Sequence, residues 1–295
     1  MNSITITYLS KVSFASLNGA DKDVDNINPI KKVTLDNGQE LPYVSSQAIR
    51  RALRDRLDEM GKPISKVTSG EGKNPPATEG DPAKYYDDDL FGYMNAKDRN
   101  QRTSPIRVES LLALPTSTYK GDLDYGTNFM GVNNGGEPNI YETEIHSGLY
   151  RGTILIELDR IGKGQTIKNK YDDSDFVDSD KEKQQRVLDF LDAFRSLWSS
   201  GRQTRFLADI SPKFIAAAYM SVKNPVFLEA VNIDERGKVK VEELQGVVDD
   251  YGKFIEQYVF ANQKATLETT QEINSLKEGF EQIESWINDY YKGQA

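Results

Sequence analysis

The stretch LPYVSSQAIRRALRDRL (residues 41–57) changes period part-way along its length. Its first residues continue a β-prone run that starts at Gln39. From Ser46 onward the apolar residues recur every three or four positions. Ile49, Ala52, Leu53, Leu57 and Met60 fall on one face at 100° per residue, which predicts an amphipathic helix. Ser45-Ser46 is suited to the N-cap, and Gly61 with Pro63 provides the stop. Arg50, Arg51 and Arg54 share the arc beside the apolar stripe, whereas Arg56 falls near its edge.

Upstream, Asp36-Asn37-Gly38 is a tight-turn signal, so residues 30–35 and 39–44 are predicted to pair as a hairpin. Residues 18–29 are polar and turn-rich. Residues 3–16 alternate through Ile4, Ile6, Tyr8, Val12 and Phe14, which predicts a strand.

Downstream, residues 61–83 are rich in Gly, Pro, Ser, Thr and Lys and read as a loop insertion; residues 84–103 are polar around Leu90-Phe91-Gly92. Residues 104–114 return to an apolar pattern. A glycine-rich run over 119–139 lies between β-prone segments, the second of which, 140–161, is the longest strand-like stretch; together they predict a protruding hairpin. A helix is predicted over 183–199, short apolar segments over 204–231, and two helices over about 241–262 and 268–291. Strands and helices mix without regular βα alternation, which predicts an α+β fold rather than a doubly wound sheet.

Composition removes several function classes. The 295 residues include 37 Lys+Arg and 46 Asp+Glu, a net charge of −9, which excludes a uniformly basic nucleic-acid binder but not a local basic groove. Cysteine is absent, excluding disulfides, iron–sulfur clusters and thiol nucleophiles. With one histidine, His146, a site built on two or more histidines is impossible. No membrane-length apolar run or secretory signal is present, so a cytoplasmic location without a membrane partner is expected.

Walker A, dinucleotide-binding and nucleophile-elbow patterns are also missing, so neither a cofactor nor a catalytic residue is assigned. Asp87-Asp88-Asp89 could hold a divalent cation, but neighbouring carboxylates on a loop are expected to face water, and no metal site is assigned. The positive feature is a basic cluster on an acidic background: Lys31, Lys32, Arg50, Arg51, Arg54 and Arg56, then Lys97, Arg99, Arg102 and Arg107. Arginine presents two parallel donors to a phosphate, and a helix start at Ser45–Gln47 adds backbone N–H groups. The pattern fits a phosphate-binding groove and a solvated basic helix face equally well.

Residues 41–57 resemble a signature of the crRNA-binding backbone subunits of type I Cascade complexes, the Cas-seven or DevR family, nearest the type I-B group. Three further segments agree, in order. They are the first strand leading into Ser16-Leu17-Asn18, then Thr103-Ser104-Pro105-Ile106-Arg107, and the run from Tyr125-Gly126 through Asn134-Gly135-Gly136-Glu137-Pro138 to residues 145–152. The resemblance covers most of residues 1–160.

The resemblance implies one elaborated domain over 1–295: a modified RRM-like (ferredoxin-like) palm with an insertion at 61–103, a thumb hairpin at 115–145 and a mainly helical remainder at 183–295 packed on the palm. It also implies a non-catalytic subunit. Copies of it would stack along one crRNA, with other Cascade subunits as partners, and present bases for pairing with a target DNA strand. On that reading Ser45, Ser46, Gln47, Arg50, Arg51 and Arg54 carry phosphates, with Lys31, Lys32 and Arg107 as weaker candidates. Asn18 approaches the backbone, and Phe129 and Met130 form an apolar wedge between bases. Two other functions stay open: a metal-dependent RNA-cleaving subunit of the type III kind and a DNA-binding autoregulator.

Overall fold

β1 (Ser3–Ala15) organises the molecule. Its even-numbered residues Ile4, Ile6, Tyr8 and Val12 enter one apolar core, while Leu9 enters a second core on the opposite face. Ser3, Thr5 and Thr7 are buried on the second face too. The Ser3 hydroxyl donates to the Val222 carbonyl at 2.7 Å, and the Thr7 and Thr153 hydroxyls lie 3.0 Å apart. The alternation predicted for residues 3–16 is therefore real, but both faces are covered. The computed structural model describes residues 2–20, 27–67, 76–95, 100–115, 122–128, 135–136, 139–164, 174–199, 201 and 205–293.

β10 (Asn139–Glu157) pairs antiparallel with β1 on one side, in register from Ser3↔Glu157 to Val12↔Gly148. β11 (Phe214–Met220) pairs antiparallel on the other, from Ser3↔Met220 to Leu9↔Phe214. Beyond β10 lie β7 (Ile106–Val108) and β8 (Leu111–Ala113), then β4 (Glu40–Val44) and β3 (Lys32–Thr34). Beyond β11 lie β12 (Ile255–Asn262) and β13 (Asn274–Ser275). The first part of β10 also pairs with β9 (Asp122–Asn128) and, in parallel, with β2 (Ile27–Asn28). Among the described residues this makes an eleven-stranded mixed sheet, beside a separate ladder of β5 (Tyr93–Asn95) and β6 (Asn100–Arg102).

Three long helices share the first core with β1. α1 (Ser46–Glu59) buries Ile49, Ala52, Leu53 and Leu57, as its spacing predicts. α3 (Asp180–Arg195) is capped by Ser179 and lies between α1 and α5 (Leu276–Lys292); its Phe194 ring meets Tyr8 edge-on at 4.8 Å. On the opposite face α4 (Val241–Tyr251) packs Val241, Leu244 and Val248 against Phe214, Ala216, Ala218 and Phe260. Each large apolar side chain, fully buried, contributes roughly 1.5–3 kcal/mol. The architecture is α+β, with both faces of the sheet covered.

Three expectations need correction. First, residues 183–295 are not mainly helical, because they supply β11, wholly buried beside β1, and β12. The helix expected over 241–262 ends at Tyr251, and Ile255 to Asn262 form a strand. Its Val259 and Ala261 fill the first core while Phe260 fills the second, so the pairing with β11 overrides the helical spacing. Second, the last helix starts at Leu276 rather than near 268. Ser275 and Glu278 form a reciprocal capping box that fixes the start.

Third, Asp87-Asp88-Asp89 do not face water. All three lie on the short helix α2 (Tyr86–Phe91) and are fully buried. Asp87 accepts from Arg54 Nε (3.2 Å) and from the Ser65 N–H (2.8 Å), and Asp88 accepts from the Asp81 N–H (3.0 Å). Asp89 lies between two buried guanidiniums, Arg102 at 2.6 Å and Arg186 at 2.9 Å, and also accepts from the Gly162 N–H. Those arginines donate in turn to the carbonyls of Arg160, Lys163, Pro82 and Ala83. Buried charge persists only with such compensation. The triplet is a polar hub that ties the 61–103 insertion to α1 and α3.

Candidate nucleic-acid interface

The start of α1 is pinned from two sides. The Asn18 side-chain oxygen accepts from the Ser45 N–H at 2.9 Å, and the Asn18 carbonyl accepts from the Lys31 N–H at 2.9 Å. The Ser46 N–H donates to the Ser110 hydroxyl at 3.0 Å, and the Ala48 N–H to the Ser45 hydroxyl at 3.4 Å. Two of the N–H groups expected to be free for a phosphate are therefore already used. The Gln47 side-chain oxygen accepts from the Ser46 hydroxyl. Asn18 acts here as a staple between the loop after β1, the 27–31 segment and the helix cap.

The arginines of α1 divide by partner. Arg54 is committed to Asp87 and lies 5.0 Å over the Phe91 ring. Arg51 is 67% exposed, and among the described residues its one ion pair is with Asp55, at 2.8 Å. A surface pair of this kind contributes at most about 1 kcal/mol, so a phosphate can displace it. Arg50 is half-buried, and its Nε is buried with no hydrogen-bond partner among the described residues. Burial, and then the neighbouring Arg54 cation, push the Arg50 guanidinium below its ordinary value. An incoming anion would satisfy that orphan donor and offset the like charge.

Between these elements lies a cleft of about 240 Å³. One wall is Ser16 to Gly19, the second is α1 through Ala48 and Arg51, and the third is Ser199, Gly201 and Ile210. A Cβ on Gly201 would come within 2.9 Å of the Leu17 carbonyl oxygen, so this loop can lie against the end of β1 only without a side chain there. Asn18 and Arg51 thus share one cleft, with Ser45 to Gln47 and Arg50 on the adjoining turns. Lys31 sits behind Asn18 in the next segment.

Arg107 does not join them. Its neighbours Ile106 and Val108 face the core beneath α1, so the Arg107 side chain leaves the sheet on the other face, where it meets Glu157 at 2.5 Å. Lys223 and Arg160 share that carboxylate, at 2.7 and 3.3 Å. Opposed by burial but outweighed by these cations, Glu157 is held below the ordinary carboxylate range. Phe129 and Met130 lie outside the described residues. Among the described residues on either side, β9 and β10 pair from Asp122↔Ile145 to Asn128↔Asn139.

The sequence reading missed the third wall of the cleft. Residues 199–205 (SSGRQTR) follow an amphipathic helix with small, polar and basic residues, a loop signal that could have placed Gly201 and Arg205 near the site. Arg205 bonds Thr143 of β10 at 3.0 Å and pairs with Asp124 of β9, joining this loop to the hairpin base.

A family model described as "CRISPR-associated negative auto-regulator DevR/Csa2" matches residues 6–243. The chain belongs to the DevR/Csa2 family. Among solved structures, this DevR/Csa2 chain is similar to a chain of a "CRISPR RNA-guided surveillance complex, pre-nicking". The identity is 14% and the TM-score 0.64, over 97% of this chain and 100% of the other. It is also similar to a chain of a "CRISPR RNA-guided surveillance complex" at 15% identity and a TM-score of 0.59, over 96% and 99% of the two chains. These likenesses establish a shared fold. Among curated protein sequences none matches. Among the described residues no helix is long and apolar enough to cross a membrane, and no group of three or more acidic or histidine side chains is arranged to hold a metal ion.

Proposed function

We propose that this DevR/Csa2 chain is a non-catalytic backbone subunit of a type I Cascade complex. Copies of it line up along one crRNA, hold its sugar-phosphate backbone and leave the bases free to pair with a target DNA strand. The observation that carries this reading is the end-to-end match in fold to a chain of an RNA-guided surveillance complex, 97% of this chain against 100% of the other. The nearness to the type I-B group rests on the sequence motifs alone.

The topology supports an RRM-like (ferredoxin-like) palm. The order β1-α1-β7-β10-α3-β11, with strands arranged β11-β1-β10-β7 and both helices on one face, is that of a split βαβ repeat. Residues 61–103 then insert between α1 and β7, and residues 115–145 form the thumb. The cleft beside α1 supports the grip on RNA. Arg51 holds a displaceable surface pair and Arg50 has an orphan donor, so cationic groups are available along one edge of an otherwise acidic molecule.

Co-expression with its neighbouring subunits and a CRISPR array, followed by sequencing of the recovered nucleic acid, tests the proposal. A uniform crRNA in a large multi-copy particle is expected, and a nucleic-acid-free monomer overturns the reading. The description "auto-regulator" favours a second reading, a DNA-binding repressor. Binding to one defined duplex operator in preference to crRNA would replace the first reading with the second.

A further inference from the structure

Phe14 is the exception on β1. Ile4, Ile6, Tyr8, Leu9 and Val12 are almost completely buried, yet Phe14 is 53% exposed. It is nevertheless held in place. One side of its ring meets Phe206 at 5.4 Å with the planes 57° apart, and Phe206 is itself anchored in the core. Behind Phe206 the Arg205 guanidinium lies 5.3 Å from that ring and 5.0 Å from Tyr141 of the hairpin base. Leu207, next in sequence, is 87% exposed. A half-exposed aromatic ring seated on a rigid aromatic neighbour is a preformed flat apolar surface, and covering it releases water at little cost in ordering.

Its location narrows what covers it. Phe14 precedes by a few residues the Ser16–Gly19 wall of the cleft, and Phe206 follows by a few residues the Gly201 wall. Phe14 is thus two positions along the chain from the first wall of a cleft that carries the displaceable cation Arg51. An aromatic plane beside a cationic groove matches a nucleotide, whose base offers a π-face and whose phosphate offers negative charge. We propose that Phe14, backed by Phe206, is a stacking seat for one base of single-stranded RNA held in the cleft. This rests on the RNA-binding reading above and adds an apolar contact to a grip otherwise made through phosphates. Phe206 and Arg205 are positioning residues, since they touch Phe14 or its support and not the base.

Binding of a fluorescein-labelled single-stranded oligoribonucleotide to the full chain, as a function of salt, tests the seat. Phe14→Ala is expected to weaken binding on the order of ten-fold while leaving the salt slope unchanged, because stacking releases no counterions. Phe14→Leu, which keeps an apolar side chain without a π-face, should also weaken binding. Phe14→Trp should bind like the parent, and the emission of its added indole should be quenched by unlabelled RNA of the same sequence. If the parent binds the oligonucleotide and Phe14→Ala or Phe14→Leu binds equally well, the stacking seat is overturned and the phosphate grip stands. Emission of the Phe14→Trp variant that stays unquenched at saturation overturns it too. If the parent itself fails to bind RNA, the RNA-binding reading falls and takes the seat with it.

Discussion

Arg54 Nε lies 3.2 Å from the buried Oδ2 of Asp87, and this contact separates two kinds of arginine on one helix face. By sequence, Arg50, Arg51 and Arg54 are equivalent members of one basic arc. In the fold Arg54 neutralises a carboxylate that has no access to water, while Arg50 and Arg51 keep donors for a ligand. The double variant Arg50→Ala/Arg51→Ala should therefore weaken RNA binding uniformly across guide sequences. It should also reduce the slope of log affinity against log salt by about one to two units, with little loss of stability. Arg54→Ala should do the reverse: urea denaturation should report a loss of about 3 kcal/mol, the cost of leaving Asp87 buried without its cation. Equal stability losses for the two variants would show that the division is wrong.

Asp89 is the most heavily used carboxylate of the hub. Arg102 and Arg186 approach its two oxygens from β6 and α3, and the Gly162 N–H completes the set. Removing it leaves the Arg102 guanidinium buried without a counter-charge and Arg186 with Glu182 alone. Asp89→Ala is expected to cost about 3–5 kcal/mol in urea denaturation, more than the loss of one methylene in Leu90→Val beside it. Asp89→Asn keeps acceptor geometry on one oxygen and should recover part of the loss. A neutral Asp89→Ala would mean that the hub relaxes around the gap.

Much of this hub was out of reach of the sequence. Local spacing fixes what a residue's neighbours in the chain are, and α1 was legible for that reason: its apolar stripe, its Ser45 cap and its stop lie within one segment. The Asp36-Asn37-Gly38 turn was legible too, since Gly38 takes the positive φ (+81°) that such a turn needs. By contrast, Asp87 and Asp89 are compensated by Arg54, Arg102 and Arg186, which reach them from α1, β6 and α3, and no local spacing signals that meeting. β12 was misread for a related reason. A segment with helical spacing became a strand because β11 offered its edge. At the candidate site the motif names Asn18, Arg50 and Arg51, of which Asn18 and Arg51 line the cleft, whereas Gly201 enters it only through the fold and Phe14 is singled out by its exposed ring on Phe206.

Gly92 closes α2 with φ +68° and ψ 175°, a conformation open essentially to glycine alone. A Cβ there would lie 2.3 Å from the Arg102 carbonyl oxygen, a backbone atom that cannot swing aside. Gly92→Ala should therefore cost about 2 kcal/mol or more, read as a lower urea midpoint at unchanged m-value. Because Arg102 also holds Asp89, the substitution should couple to Asp89→Asn: the double variant should lose less than the sum of the two single losses. Strict additivity would show that the turn and the hub are independent.

His146 offers a pH test at the join between the hairpin and the sheet. It lies on β10 opposite Ala15, where the register with β1 shifts, and its Nδ1 is 2.7 Å from the Tyr150 hydroxyl. Burial lowers its pKa below the ordinary 6.5, against a smaller opposing pull from Glu144. With the folded value depressed, the unfolded chain binds more protons in the window just below 6.5. Stability contributed by the neutral ring is present above that value and is lost as pH falls through the folded pKa. The stability difference between the parent and His146→Gln should therefore be constant above about pH 7.5 and shrink as pH falls from about 7 toward 5. Thermal or urea melts of both proteins across that range measure it directly, since no other histidine titrates in this chain. A difference that grows on acidification would mean that the charged imidazolium is the form favoured by the fold, with Glu144 rather than burial setting its state.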